Sequence, residues 1–66
     1  MQMKVFTNDV GRGYQLVRRL WVFEGDECIQ WYFALLHDAI TPMSRCFDSE
    51  EQALEYAEKV GLKRIV

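Results

Sequence analysis

The sequence predicts a small α+β domain, with one helix packed on one face of an antiparallel sheet of four to five strands in the order β-β-β-β-α-β. Residues 18–36, RRLWVFEGDECIQWYFALL, support the sheet because aromatic and β-branched residues flank a glycine-containing turn. Residues 48–61, DSEEQALEYAEKVG, support the helix because they combine a capping pattern, an apolar stripe and a terminal glycine. The 66 residues suffice for a single domain spanning 1–66.

Two strands are predicted before the first tight turn. Met3–Thr7 forms a short first strand, and turn-forming residues at 8–13 separate it from a second strand at Tyr14–Phe23. Gly25 and Asp26 lie between two glutamates and suit a two-residue hairpin turn with glycine at its first central position. We therefore expect the chain to reverse at these two residues.

The chain returns along Cys28–His37, which we predict to be the third strand. Its apolar residues also fit a broad helical stripe, but the consecutive Trp31, Tyr32 and Phe33 and the preceding turn favour a strand. A fourth strand is predicted at Met43–Phe47, with a proline immediately before it, where a missing N–H costs least.

The helix follows this strand, and Asp48 and Glu51 have the spacing of a capping box. Gly61 suits a left-handed C-terminal cap, and Leu62–Val66 is predicted to close the sheet as an edge strand. The helical residues predicted to face the core lie on one side: Ala53, Leu54, Ala57 and Val60.

Alternation along the two central strands assigns their side chains to two faces. With the turn at 25–26, Arg19 lies opposite Tyr32 and Trp21 lies opposite Gln30. We expect the helix to cover the nearly apolar face, which carries Tyr14, Leu16, Arg18, Leu20, Val22, Ile29, Trp31, Phe33, Leu35 and His37. The opposite face carries Gln15, Val17, Arg19, Trp21, Phe23, Cys28, Gln30, Tyr32, Ala34 and Leu36.

The opposite face is rich in Trp, Tyr, Phe and Arg, residue types that are enriched at the energetic centres of protein interfaces. A three-residue turn would regroup the strands, so that Trp21 shares the core with Trp31 while Tyr32 stays outside. The partner-binding residues predicted on the opposite face are Arg19, Trp21, Phe23, Gln30 and Tyr32.

A second candidate surface is an acidic stripe on the helix. Its members are spaced three and four apart, which stacks them on one side: Asp48, Glu51, Glu55 and Glu58. The simpler interpretation is a solvated outer face. The functional one is that Glu51, Glu55 and Glu58 steer association with basic grooves of proteins that handle nucleic acids, or mimic phosphate.

The sequence carries no pattern of a metal centre or a catalytic site. His37 is the single histidine, and Cys28 and Cys46 are well separated, so neither CxxC nor HxxxH spacing occurs. His37 and Asp38 fit a turn better than a catalytic pair, because neighbours along a strand point to opposite faces. We therefore predict no cofactor, no metal and a function other than catalysis.

Eight basic and ten acidic residues make the chain mildly acidic, which disfavours binding driven by phosphate-backbone contacts. The alternative function is a platform for single-stranded nucleic acid, with aromatic residues stacking on bases. That platform would use Arg19, Trp21, Phe23 and Tyr32, with backbone contacts from Arg12, Arg45, Lys63 and Arg64.

We expect neither a membrane anchor nor export. The longest uncharged run, residues 28–36, is about half of the ~20 residues that a membrane helix needs. The start, MQMKVFTNDV, lacks the charged and apolar regions of a secretion signal. A cytoplasmic location with reduced cysteines follows.

The C-terminal segment RCFDSEEQALEYAEKVGLKRIV, residues 45–66, combines a strand ending in Phe-Asp, an acid-rich helix and a short closing strand. Similar segments occur in many unrelated small α+β proteins, but the whole chain, which is short, acidic and cysteine-poor and combines an antiparallel sheet, one helix and spare aromatic residues, is similar to the small accessory proteins encoded by bacteriophages and prophages. These include anti-CRISPR proteins and inhibitors of host RNA polymerase. The resemblance implies a protein that binds a host protein and blocks its nucleic-acid site. The other option for the partner is a second copy, giving a structural homodimer.

Overall fold

The computed structural model describes residues 4–65, which form a four-stranded antiparallel sheet and one helix. The predicted α+β class is confirmed, and the strands lie in the order β3-β2-β1-β4. Met3 and Val66, at the ends of the predicted first and last strands, lie outside the described residues. The elements in chain order are β1 (Val5–Thr7), β2 (Gly13–Phe23), β3 (Asp26–Leu35), α1 (Glu50–Val60) and β4 (Lys63–Arg64).

The hairpin between β2 and β3 turns one residue earlier than predicted. Its two loop residues are Glu24 and Gly25, with φ angles of 52° and 85°. Positive φ at both positions is the conformation of a type I′ turn, whose twist matches that of the flanking strands. Asp26 therefore belongs to β3 and not to the turn.

The register of the hairpin shifts with the turn. Arg19 lies opposite Gln30 instead of Tyr32, and Trp21 lies opposite Cys28 instead of Gln30. Each partner moves by two residues, and side chains alternate with a period of two. The predicted register is thus wrong, while the predicted assignment of side chains to two faces is confirmed.

The predicted strand at Met43–Phe47 is wrong, because this segment follows the outer edge of β3 without a regular ladder. Phe47 and Trp31 exchange backbone hydrogen bonds of 2.7 and 2.8 Å. Two residues along, the N–H of Phe33 donates to the Ser44 hydroxyl at 3.0 Å instead of to a backbone carbonyl. The element order within the described residues is therefore β-β-β-α-β.

The helix α1 begins with a cap one residue later than predicted. Ser49, and not Asp48, is the N-cap, and its hydroxyl accepts the N–H of Gln52 at 3.2 Å. The Gln52 side chain in turn accepts the N–H of Asp48 at 3.2 Å, a reciprocal arrangement similar to a capping box. Gly61 ends the helix in the left-handed conformation, as predicted, with φ 83°.

The core lies between α1 and the face of the sheet that was predicted to receive the helix. Ala53 and Ala57 are buried, and their small side chains let the helix lie close to Phe33 of β3. The Phe6 and Phe33 rings pack in a T-shaped arrangement, with an interplanar angle of 89° and the ring centroids 5.2 Å apart. Leu16 and other partly buried apolar side chains pack against these core residues.

One position of the predicted apolar stripe on α1 differs in the structure. Val60 is exposed, whereas Tyr56 packs on the core instead. The Tyr56 ring stacks on Phe33 with centroids 6.0 Å apart and tilts against Phe47 at 5.2 Å. The aromatic ring thus fills the space between the helix and the 43–47 segment.

Candidate protein-binding surface

The distal part of the hairpin extends beyond the helix. We call residues 17–30 the hairpin arm. β1 pairs with β2 only at Gly13–Gln15, at the opposite end from the turn. The molecule is accordingly elongated, with extents of 41 × 23 × 21 Å. Both faces of the arm near its tip are therefore open to solvent.

Three apolar side chains on the helix side of the arm are exposed, although the helix was expected to cover them. Leu20 is 52% exposed, Val22 is 68% exposed and Ile29 is 39% exposed. Eleven residues of β2 extend over about 35 Å, whereas eleven residues of α1 extend over about 16 Å. This difference in length was readable from the sequence and would have placed these residues outside the core.

The opposite face of the arm carries an arginine stacked on a tryptophan. The guanidinium carbon of Arg19 lies 4.3 Å from the centroid of the Trp21 ring, within the range of a cation–π contact. Both side chains are half-buried, as is Gln30 across from Arg19. Phe23, at the tip, is 73% exposed. Four of the five predicted partner-binding residues thus lie together on this face.

The nitrogen Nε1 of Trp21 is buried and has no hydrogen-bond acceptor among the described residues. An unsatisfied buried donor costs about 1–3 kcal/mol of folding free energy. Trp21 therefore carries a polar group whose burial opposes the stabilisation gained from burying the rest of its ring.

Tyr32 is buried, so its predicted place on an exposed face is wrong. Its side chain is 0% exposed, and its hydroxyl donates to the carbonyl oxygen of Ala39 at 2.6 Å. The chain after β3 folds back over this end of the face, where Ala34 is also buried. The Gln15 side chain holds the start of that loop by donating to the Leu35 carbonyl at 3.0 Å. Tyr32 therefore stabilises the fold beneath this loop, and its side chain is not accessible to a binding partner.

The loop over Tyr32 is organised by Asp38. One carboxylate oxygen accepts the backbone N–H groups of Ile40 at 3.1 Å and Thr41 at 3.2 Å. Hydrogen bonds from the Thr41 side chain, and then from the backbone of Thr41 and Ile40, lower the pKa of Asp38 below its ordinary value. The predicted turn role of Asp38 is consistent with these contacts.

The acidic stripe of α1 is exposed, and its members are Asp48, Glu51, Glu55 and Glu58. A shallow groove of about 350 Å³ runs beside it, lined by Asp48 and Glu55 but also by Arg45 and Lys59. The field along the groove is therefore mixed in sign. Glu50, on the flank of the stripe, is paired with Lys4 at 2.6 Å.

Within residues 4–65, no cluster of three or more His, Cys, Asp or Glu side chains is arranged to hold a metal ion. Cys28 is exposed and Cys46 is half-buried, and both are free thiols. In the same range no helix is long and apolar enough to cross a membrane.

Comparison with known proteins adds no assignment. No protein-family model, no curated protein and no solved structure matches this chain. The functional conclusion therefore depends on the surface itself.

Proposed function

We propose that this chain is a non-catalytic protein-binding module that contacts its partner through the hairpin arm. The observation that carries the proposal is the concentration of exposed apolar side chains on both faces of the arm tip, beside the Arg19–Trp21 pair. Exposed apolar surface collected in one place is typical of an interaction site. Trp, Phe and Arg are residue types that contribute much of the binding energy at such sites.

A protein partner is better supported than single-stranded nucleic acid. Base stacking requires open aromatic rings, but Tyr32 is buried and the guanidinium of Arg19 occupies one side of the Trp21 ring. The tip of the arm is also acidic, with Glu24, Asp26 and Glu27. Such a tip repels a phosphate backbone.

The kind of partner is a further part of the proposal. The similarity to small phage and prophage proteins favours a host protein that handles nucleic acids, in the cytoplasm. The exposed acidic stripe of α1 supports this choice, because it would steer the chain toward a basic surface. The hairpin arm would then supply most of the contact energy.

The proposal is tested by capture from a bacterial lysate with the tagged chain, followed by mass spectrometry. The test variant is Arg19→Glu with Phe23→Asp, and the control is Ile40→Asp, because Ile40 is 72% exposed and lies outside the arm. Circular dichroism checks that each variant keeps its fold. We expect the double variant to lose the captured protein while the control retains it.

The affinity of each variant for the purified captured protein then measures how much the substitutions weaken binding. Loss of contact residues at an interface centre weakens binding by about tenfold for each 1.4 kcal/mol. Equal affinity of the double variant and the Ile40→Asp control would contradict a binding role for the arm.

A further inference from the structure

The outer edge of β2 is unpaired along the hairpin arm. β1 covers this edge at Gly13–Gln15, and the N–H of Leu16 donates to the carbonyl of Lys4 at 3.1 Å. Beyond that point, from Val17 to Phe23, no residue within 4–65 pairs with the edge. The open edge is therefore seven residues long in the described part of the chain.

The alternation of antiparallel pairing fixes which groups this edge presents. Every second residue directs its N–H and C=O away from its hairpin partner, and Leu16 does so toward Lys4. By the same alternation, Arg18, Leu20 and Val22 direct their backbone groups outward. These three residues form a ready template for another strand.

The edge carries two charged side chains, Arg18 and Arg19, but lacks the other features that usually prevent strand pairing. Natural edge strands carry charged side chains, most often lysine, or prolines or bulges. The sequence from Val17 to Phe23 contains no lysine or proline, and the register to β3 is continuous without a bulge. The edge of β3 differs, because Phe47 bonds to Trp31 and the distal part carries acidic Asp26 and Glu27.

Charge is separated along the hairpin arm in a way that favours a second copy as the added strand. Arg18 and Arg19 lie toward its base, whereas Glu24, Asp26 and Glu27 lie at its tip. Two arms placed side by side and antiparallel bring the basic base of one against the acidic tip of the other. A parallel arrangement would instead juxtapose like charges, which is destabilising.

We propose that two copies of this chain dimerise by antiparallel pairing of their β2 edges about a twofold axis at Leu20. In this register Leu20 meets Leu20 of the second copy, and Arg18 meets Val22 of the second copy. The outward residues then form about six inter-chain hydrogen bonds. On the other face, Arg19 lies opposite Trp21 of the second copy, so that no two arginines face each other across the axis.

The dimer would enlarge the surface assigned above to protein binding, so this inference rests on the proposed function in that respect. The two arms join into one continuous four-stranded face. That face carries two sets of Arg19, Trp21 and Phe23. The second copy thereby contributes residues to the same binding site.

The oligomeric state is the first test, measured by sedimentation in reducing buffer over a concentration series. We expect a species of about twice the 7.8 kDa of one chain. Leu20→Lys should shift it to the mass of one chain, because two lysines would meet at the axis. The control Ile40→Lys should remain dimeric. The dimer would be overturned if the wild-type chain stays monomeric at every concentration, or if the Leu20→Lys variant stays dimeric.

Cross-linking tests the register in a background of Cys28→Ser and Cys46→Ser. Leu20→Cys should form an inter-chain disulfide on oxidation, because strand pairing at the axis keeps the two positions within disulfide reach. Val22→Cys should form roughly tenfold less, because its counterpart lies four residues along the strand, about 13 Å away. Equal or greater cross-linking of Val22→Cys would refute the register.

The two proposals fail separately. If the chain is monomeric but still captures a protein through Phe23, the dimer is refuted, and the open edge would be available to a strand of the captured protein. A dimer that captures nothing refutes the proposed function and leaves the dimer intact.

Discussion

The hydroxyl of Tyr32 donates a 2.6 Å hydrogen bond to the carbonyl oxygen of Ala39. This contact joins β3 to the loop that folds over it and explains why an aromatic residue of the open face is buried. We predict that Tyr32→Phe destabilises the chain by about 1 kcal/mol, because the ring is kept while the hydrogen bond is lost. Tyr56→Phe is the control, since no hydrogen bond of the Tyr56 hydroxyl is made within residues 4–65. Urea unfolding of both variants measures the difference, and equal stabilities would contradict the role given to Tyr32.

The hairpin turn contains a glutamate in a conformation that suits asparagine or glycine better. Glu24 has φ 52°, and a side chain of this type in the left-handed region costs of order 1 kcal/mol. We predict that Glu24→Asn stabilises the chain by roughly 0.5–1 kcal/mol, because Asn-Gly is the preferred type I′ pair. Thermal unfolding checks the gain. A loss of stability would show that the turn is not type I′.

The position of the helix cap predicts a contrast between two neighbouring residues. Ser49→Ala removes the acceptor for the N–H of Gln52 and should cost about 1 kcal/mol of unfolding free energy. Asp48→Ala leaves that bond in place and should cost less. Chemical denaturation of the two variants decides between the caps. A larger loss for Asp48→Ala would restore the cap that the sequence favoured.

The Asp38 loop predicts a pH dependence in the acid range. The pKa of Asp38 is lowered in the folded chain, so folding favours the ionised carboxylate. The ionised carboxylate of Asp38 stabilises the folded chain above its ordinary pKa of 3.8, and this stabilisation is lost as the pH falls through the lowered pKa. The stability difference between wild type and Asp38→Asn should therefore shrink below about pH 4. A difference that stays constant from neutral to acid pH would contradict this assignment.

Most of the sheet could be predicted from the sequence, because side chains alternate between the two faces of a strand and a register error of two residues leaves each of them on its predicted face. Placing the turn at Gly25 and Asp26, instead of at Glu24 and Gly25, moved every partner by two residues and kept every side chain on its face. The choice of turn depends on whether Glu24 accepts a positive φ, which residue preferences disfavour. The sequence therefore determined the faces better than the register.

The remaining errors arise where distant segments meet. Nothing local in the sequence indicates that the N–H of Phe33 donates to the hydroxyl of Ser44, where a regular fourth strand would offer a backbone carbonyl. Tyr32 likewise looks like a surface residue until the loop at Ala39 covers it. The exposure of Leu20 could have been anticipated, because the helix is too short to reach it.

The most direct measurement of the proposed function is a map of the contact surface on the isotopically labelled chain, by amide NMR during titration with the purified captured protein. We expect the largest changes in residues 17–30, with smaller ones at α1 from long-range charge. Changes confined to α1, or an arm whose signals stay unaltered at saturation, would show that the hairpin arm is not the binding surface.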